Sequence, residues 1–412
     1  MPYGIEIMSP VGSFESLTAA IQGGAESVYF GVGHMNMRSR SSANFTHNDL
    51  KEITRVCLDK GVKTYMALNT VIFDSELDEM KKGIDAAKQF SIDAIIASDL
   101  SVLQYALDQK MAVHISTQCN ITNLEAVKFF SRFADVMVTA RELSLEQVKS
   151  IVCSIDEQNI TGPKGELIKI EIFVHGALCM AVSGKCYLSL DNFNQSANRG
   201  ACYQPCRRSY TVKDTDHETE LELDNEYIMS PKDLNTIGFI DKIIESGVKI
   251  LKIEGRGRSP EYVKTVTSCY HEAVNSYFEG CYNTARVERW NERLKSVYNR
   301  GFWEGYYLGR KIVEWSGNYG SAATHKKIYT GKVMNYFSKL KVAEIKIESG
   351  ELKTGDGIVI IGPTTGVIQD TIQEIRVNLC KTNIANKGEL ISIPISEPVR
   401  RSDKVYRMSA TG

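Results

Sequence analysis

The sequence predicts an α/β protein: a (β/α)8 TIM-like barrel followed by a small C-terminal all-β barrel domain. Three observations carry this. Eight short apolar runs alternate with amphipathic stretches over the first 290 residues, the rhythm of parallel strands joined by helices. No G-x-G-x-x-G follows the first run, which speaks against an open dinucleotide-binding sheet. After His325 the texture changes to alternating runs split by ESGELKTGDG, IGPTTG and ANKGE, the punctuation of antiparallel strands and turns.

The expected strands are Ile5–Ser9, Ser27–Gly31, Val62–Asn69, Asp93–Ser98, Val113–Ser116, Asp135–Ala140, Ile168–His175 and Val248–Glu254. Several are nearly continuous Val, Ile and Ala, as strands buried on both faces should be. Between them, helical patterns cover Ser13–Gln22, Asn48–Asp59, Ser75–Phe90, Asn123–Phe133 and Ser144–Ile155. Ser13, Ser75 and Ser144 stand where N-caps belong. Gly24, Gly61 and Gly247 stand where a left-handed C-terminal turn is wanted. The division expected is a barrel over 1–290 carrying an insertion at 176–247, a connecting segment over 291–325, and a β-domain over 326–412. The connecting segment and its approach hold Trp290, Trp303 and Trp315.

Composition narrows the function classes. Of 412 residues, 43% are hydrophobic and 24% charged, with 49 Lys and Arg against 50 Asp and Glu. This is a globular balance with no global positive field, so nucleic-acid binding needs a local patch. No run approaches the ~18 apolar residues of a membrane span. The N-terminus lacks a basic region followed by an apolar run, so a cytoplasmic location is expected and the ten cysteines should be thiols or metal ligands.

Polar residues close the strands: Asn69, Asp99, Gln118, Arg141, His175, Glu254 and Arg256. In a barrel of this kind the C-terminal strand ends face one mouth, where chemistry resides. Such a ring can orient a small polar substrate. Arg256 suits a carboxylate, because its planar fork pairs with two oxygens. His175, Glu254 and Asp99 are candidates for moving protons. His114, inside the apolar run AVHISTQ, reads as a satisfied core histidine.

Four cysteines fall in the insertion: Cys179, Cys186, Cys202 and Cys206, spaced C-x6-C-x15-C-x3-C. Structural zinc favours paired C-x2–4-C knuckles, and only the last spacing fits. The irregular set suits a [4Fe-4S] cluster, with zinc as the alternative. Arg199 and Arg208 flank the cysteines and are candidates for binding an anion beside them.

Several segments together resemble one family: MSPVGSFESLTAAIQGGAESVYFG, HISTQCNITN, TARELSL, FVHGALCMAVSGKC, NRGACYQPCRRSY, MSPKDL and LKIEGRGRSPEYV. They are similar to the collagenase-like peptidase family, the U32 group of unassigned catalytic type, and the likeness spans residues 4–310. The C-terminal segment resembles the family's appended β-barrel, itself similar to the second domain of translation elongation factors. The resemblance implies more than one activity. The family is named for collagen degradation. Other branches form 5-hydroxyuridine in tRNA with prephenate implicated as co-substrate, hydroxylate a ribosomal cytidine, or act in ubiquinone hydroxylation with a cysteine-bound [4Fe-4S] cluster. Cys179, Cys186 and Cys202 match three ligands of one ubiquinone member, and Cys202 and Cys206 match the closing C-x3-C of its partner. The β-domain aligns the chain with the tRNA branch.

A peptidase engine is hard to find. There is no HExxH and no GxSxG, although Cys119 near His114 could be cast as a nucleophile. The expectation is therefore an iron–sulfur-dependent RNA hydroxylase using a small carboxylate. Arg256, with Arg199 or Arg208, would bind that carboxylate. Lys326, Lys327, Lys339, Lys341, Arg400 and Arg401 are candidate phosphate contacts. A peptidase, and an accessory binding protein with a structural metal site, are the alternatives.

Overall fold

The computed structural model describes residues 4–40, 44–211, 227–309, 313–317 and 320–411. Ten strands form the first sheet: β1 (Glu6–Pro10), β2 (Ser27–Gly31), β3 (Lys63–Leu68), β4 (Ala94–Ala97), β5 (Val113–Ile115), β6 (Val136–Val138), β7 (Lys169–Gly176), β8 (Asp233–Asn235), β9 (Ile250–Ile253) and β10 (Phe302–Trp303). Eight of them, β1–β7 and β9, pair in parallel and close into a ring, because β9 bonds to both β7 and β1. All eight expected strands are present.

The helices are α1 (Phe14–Gln22), α2 (Leu50–Leu58), α3 (Leu77–Gln89), α4 (Leu100–Asp108), α5 (Leu124–Phe130), α6 (Leu145–Glu157), α7 (Leu188–Phe193), α8 (Ile240–Glu245), α9 (Pro260–Phe278) and α10 (Thr284–Ser296). Ser13 caps α1 by accepting from Ser16 N–H, and Ser144 caps α6 in a reciprocal box with Gln147. Ser75 does not cap α3. It lies inside a 3-10 turn, Asp74–Glu76, and the helix starts at Leu77. The acidic side chain of Glu76 bonds back to Phe73 N–H instead, so the chain tightens before it becomes α-helical. Gly24, Gly61 and Gly247 all have positive φ at helix ends.

The stretch between β7 and β9 is not a pure insertion. Its described part holds α7 and two short 3-10 turns, but also β8 and α8, and α8 is the barrel's own helix between β7 and β9. Strand β8 runs antiparallel to the end of β7, and β10 pairs parallel to β8, lengthening one side of the mouth. Trp290 and Trp303 are buried in the barrel's apolar core.

Alternate residues of the strands point inward, and some are charged. Glu6, His114, Glu171 and Lys252 are all buried. Tyr65 donates to Glu6 at 2.7 Å, while Glu171 meets Lys252 at 2.7 Å and His114 Nδ1 at 3.2 Å. Burial would raise the Glu171 carboxyl, but Lys252 and His114 outweigh it and hold it below the usual range. The barrel thus has a paired polar floor under its mouth.

The C-terminal region is all-β. Its strands follow the order 366–371, 357–362, 404–410, 325–337, 342–347, 390–394, 375–377 and 380–382, with a two-stranded sheet beside them. They enclose a core of Ile345, Ile358, Ile360, Ile391 and Ile393 among others. This domain docks on α1 and α9. Gln22 Nε2 donates to Thr365 O at 2.8 Å and Gln22 Oε1 accepts from Val367 N–H at 3.0 Å. Ala19 joins Val359, Ile361 and Val367 in one apolar patch.

Candidate functional site

A cleft opens at the C-terminal ends of the strands. Each wall comes from a strand end or the loop behind it. Asn69 follows β3, Ser116 and Gln118 follow β5, Arg141 follows β6, and Glu254 and Arg256 follow β9. Tyr29 of β2 and Arg38 of the loop after it complete the ring, with Lys252 at the base. Cys179, Cys186, Cys202 and Cys206 line the same cleft. The close passage of β7 and β9 depends on Gly176, whose φ is +101° and whose missing Cβ would stand 2.3 Å from Glu254 O.

The polar residues form two groups. Asn69 Nδ2 donates to Ser116 Oγ at 3.3 Å, and the Ser116 hydroxyl donates to Gln118 Oε1. Opposite them, Arg38 Nη2 donates to Glu254 Oε1 at 2.8 Å, and the Tyr29 hydroxyl lies 3.2 Å from Glu254 Oε2. Burial would raise the Glu254 carboxyl, but Arg38, Arg141 and Arg256 outweigh it and bring it to about 2. Burial lowers Arg256 to about 10, so it stays a cation at neutral pH. Its Nη2 donates to Asn36 Oδ1 at 2.6 Å.

One carboxylate cannot satisfy these cations. The buried Nε atoms of Arg141 and Arg256 have no hydrogen-bond partner among the described residues, nor does Asn198 Oδ1 on the same wall. Arg141 is held by stacking, with its Cζ 4.3 Å from the Phe173 ring centre. Unspent buried donors beside an opening are what an anionic ligand would satisfy.

The cysteine loop is pinned independently of the thiols. Arg207 donates from Nη1 to Pro231 O and from Nη2 to Leu178 O, both at 2.6 Å, drawing the two ends of the loop together. Gly200 adopts φ +82° against Asn36 and Ser39, a site with no room for a Cβ. Cys206 is raised to about 11 by burial, and Cys186 is raised as well, each also feeling its neighbouring thiols. Among the described residues no three His, Cys, Asp or Glu side chains converge as a single ion would require. The four soft donors line one cleft, which is the ligand chemistry that a thiolate-bound metal group requires.

Asn69, Gln118, Arg141, Glu254, Arg256 and the four cysteines therefore share one cleft. Four expected site residues lie elsewhere. His175 is buried among Tyr262, Tyr270 and Phe302, and burial brings its pKa down to about 3. Asp99 caps α4, accepting from Ser101 N–H at 2.9 Å and Ile72 N–H at 3.0 Å. Arg199 makes a two-pronged pair with Glu76, at 2.6 and 2.5 Å. Arg208 lies over Phe193, 4.9 Å from its ring centre. His114 is the paired core histidine expected. Cys119 is pushed up to about 11 by burial, not activated. Of the candidate phosphate contacts, Lys327 is engaged by Glu261 of α9 at 2.8 Å. Arg38, Tyr29 and Lys252 escape a strand-end reading. The signal for Lys252 was a charge inside the apolar run ILKI, and for Arg38 a basic loop, HMNMRSR, behind a strand.

The profile of peptidase family U32 matches residues 12–317. The chain is 58% identical over 402 residues to "Collagenase" of Porphyromonas gingivalis (strain ATCC BAA-308 / W83), covering 98% of this chain and 97% of that protein. It is 30% identical to "tRNA hydroxylation protein P1" of Bacillus subtilis (strain 168), over 90% of this chain and 86% of the relative. It is 33% identical to "tRNA hydroxylation protein P" of Helicobacter pylori (strain ATCC 700392 / 26695), over 74% and 72% respectively. With a closed parallel barrel and a family profile that spans it, the chain belongs to peptidase family U32.

Proposed function

We propose that the protein is an RNA-hydroxylating enzyme that forms 5-hydroxyuridine in tRNA, depends on an iron–sulfur centre and uses a small carboxylate such as prephenate. The observation that carries this is the sharing of one cleft by four cysteines and an arginine-rich wall with unspent donors. The tRNA hydroxylation relatives supply the substrate class. Cys179, Cys186, Cys202 and Cys206 would hold the centre, which supplies one-electron chemistry when bound. Arg141 and Arg256 would take the carboxylate, with Glu254 fixed by Arg38 as the counter-charge that orients them. Asn69 and Gln118 would present an amide edge to the polar end of the ligand. Replacing a base C–H by C–OH removes two electrons. A hydroxy acid that gives up its hydroxyl and leaves in its two-electron-reduced form closes that balance.

The test is nucleoside mass spectrometry of tRNA from cells lacking the gene, complemented with wild type or C202A. Wild type restores 5-hydroxyuridine and C202A does not. Restoration by C202A sinks the proposal.

The collagenase name of the 58% identical relative favours a second reading, a peptidase. It predicts cleavage of gelatin that persists after C202A. The cleft offers that chemistry little. Cys119 is held as a thiol, and no His lines the cleft among the described residues.

A further inference from the structure

The cleft has a second lobe lined by the cysteine loop. The two lobes share Arg38, Arg141, Glu254 and three of the cysteines as a dividing wall. The second lobe adds Arg207, Arg258 and Arg300 of its own. Five guanidinium groups thus line this lobe with a single carboxylate, Glu254, among the described residues; Glu254 is engaged by Arg38, and Asp233 meets Arg300 beside the lobe.

The five are not equivalent. Arg207 is spent on carbonyls and lies close enough to feel the Cys206 and Cys179 thiols, and Arg38 is on Glu254. Arg258 lies over Tyr298, its Cζ 3.5 Å from the ring centre, and no side-chain hydrogen bond or ion pair holds it among the described residues. Arg300 sits over the same ring at 5.2 Å and reaches Asp233 only at 3.4 Å. A ring that orients two guanidinium groups leaves their N–H edges for another acceptor. Placing cations together in a partly buried lobe is costly unless an anion enters between them.

We propose that Arg258 and Arg300 form a phosphodiester site, which seats the RNA backbone next to the target base while the base enters the cysteine-walled lobe. This rests on the hydroxylase reading and adds to it a substrate subsite. A phosphodiester fits because it presents two anionic oxygens to two forks, with no further group to bury. The wall shared by the lobes puts the phosphate and the reacting base on opposite sides of the same thiols.

The experiment uses the full-length protein and a fluorescein-labelled RNA stem-loop with a loop uridine, read by anisotropy from about 50 to 200 mM salt. R258Q should weaken RNA binding about tenfold and lower the log–log salt slope by about 0.7, the share of one single-strand phosphate. R258K should recover the slope but not the full affinity, because it lacks the stacked fork. Prephenate binding by calorimetry should be unchanged in R258Q. RNA affinity and slope equal to wild type overturn the inference. So does an equal loss of prephenate affinity, which would make the lobes one site. Loss of inorganic phosphate binding with RNA affinity intact reassigns the lobe to a free anion and overturns it too. If C202A keeps the tRNA modification, the hydroxylase reading fails whatever Arg258 does. If C202A abolishes it while R258Q binds RNA normally, the phosphate site alone fails.

Discussion

Arg38 Nη2 stands 2.8 Å from Glu254 Oε1, fastening the loop after β2 to the end of β9 at the rim of the barrel. The pair sets a pH dependence. The Glu254 carboxyl is at about 2 in the folded protein, against an ordinary 4.5. A lowered folded value means the stabilisation is complete above about 4.5 and is lost as pH falls towards 2. The full contribution is roughly 3 kcal/mol. Urea unfolding from pH 6 to 2 should show a steeper acid loss in wild type than in E254Q. Parallel curves would remove Glu254 as the ionised centre of the mouth.

Lys252 and Glu171 meet at 2.7 Å with almost no exposure of either. Removing the lysine leaves a buried carboxylate with His114 as its remaining hydrogen-bond partner among the described residues. K252M should lose about 3–5 kcal/mol by urea unfolding. E171Q together with K252M should lose less than the two single losses added, because the stranded charge is gone. Simple additivity would mean the pair is not coupled.

The barrel and the β-domain could be read from pattern, because buried parallel strands and turn-punctuated antiparallel strands leave unlike periodicities. The cleft was legible where a residue follows a strand directly, as Asn69 and Glu254 do, or within three residues, as Gln118 and Arg141 do. It was not legible for Asp99, where the same position serves as a helix cap, nor for His175, where β8 folds back and covers the strand end. Arg199 was misplaced for another reason. Its partner Glu76 lies in the loop leading to α3, far away in sequence, and a long-range pair leaves no local spacing.

Arg199 should accordingly matter for stability and not for ligand. R199A should cost about 1–2 kcal/mol, since the pair is two-pronged and only partly exposed. Prephenate affinity should stay within twofold of wild type. A large affinity loss would put Arg199 back at the cleft.

Cys119 gives a direct check on thiol nucleophilicity. Burial pushes it up to about 11, so its thiolate is scarce at neutral pH. C119S should leave the tRNA modification intact, and iodoacetamide should label Cys119 slowly in mass-spectrometric footprinting. Rapid labelling with loss of activity would revive a thiol mechanism.

The four thiols should be separable from folding. C186S, purified without air, should lose iron and sulfide while its unfolding free energy stays within about 0.5 kcal/mol of the metal-free wild type. Collapse of the far-ultraviolet circular dichroism would make the cysteines structural.

That separation follows from where the cysteine loop hangs. It leaves the chain after β7 and returns before β8, while the eight-stranded ring closes through β9 without it, and Arg207 ties its ends by carbonyls that owe nothing to sulfur. The ring of strands is therefore complete without any group bound to the thiols, which all sit on a single strap at the rim. On the proposed reading, a molecule whose thiols are damaged keeps its closed barrel and would need only its metal group restored.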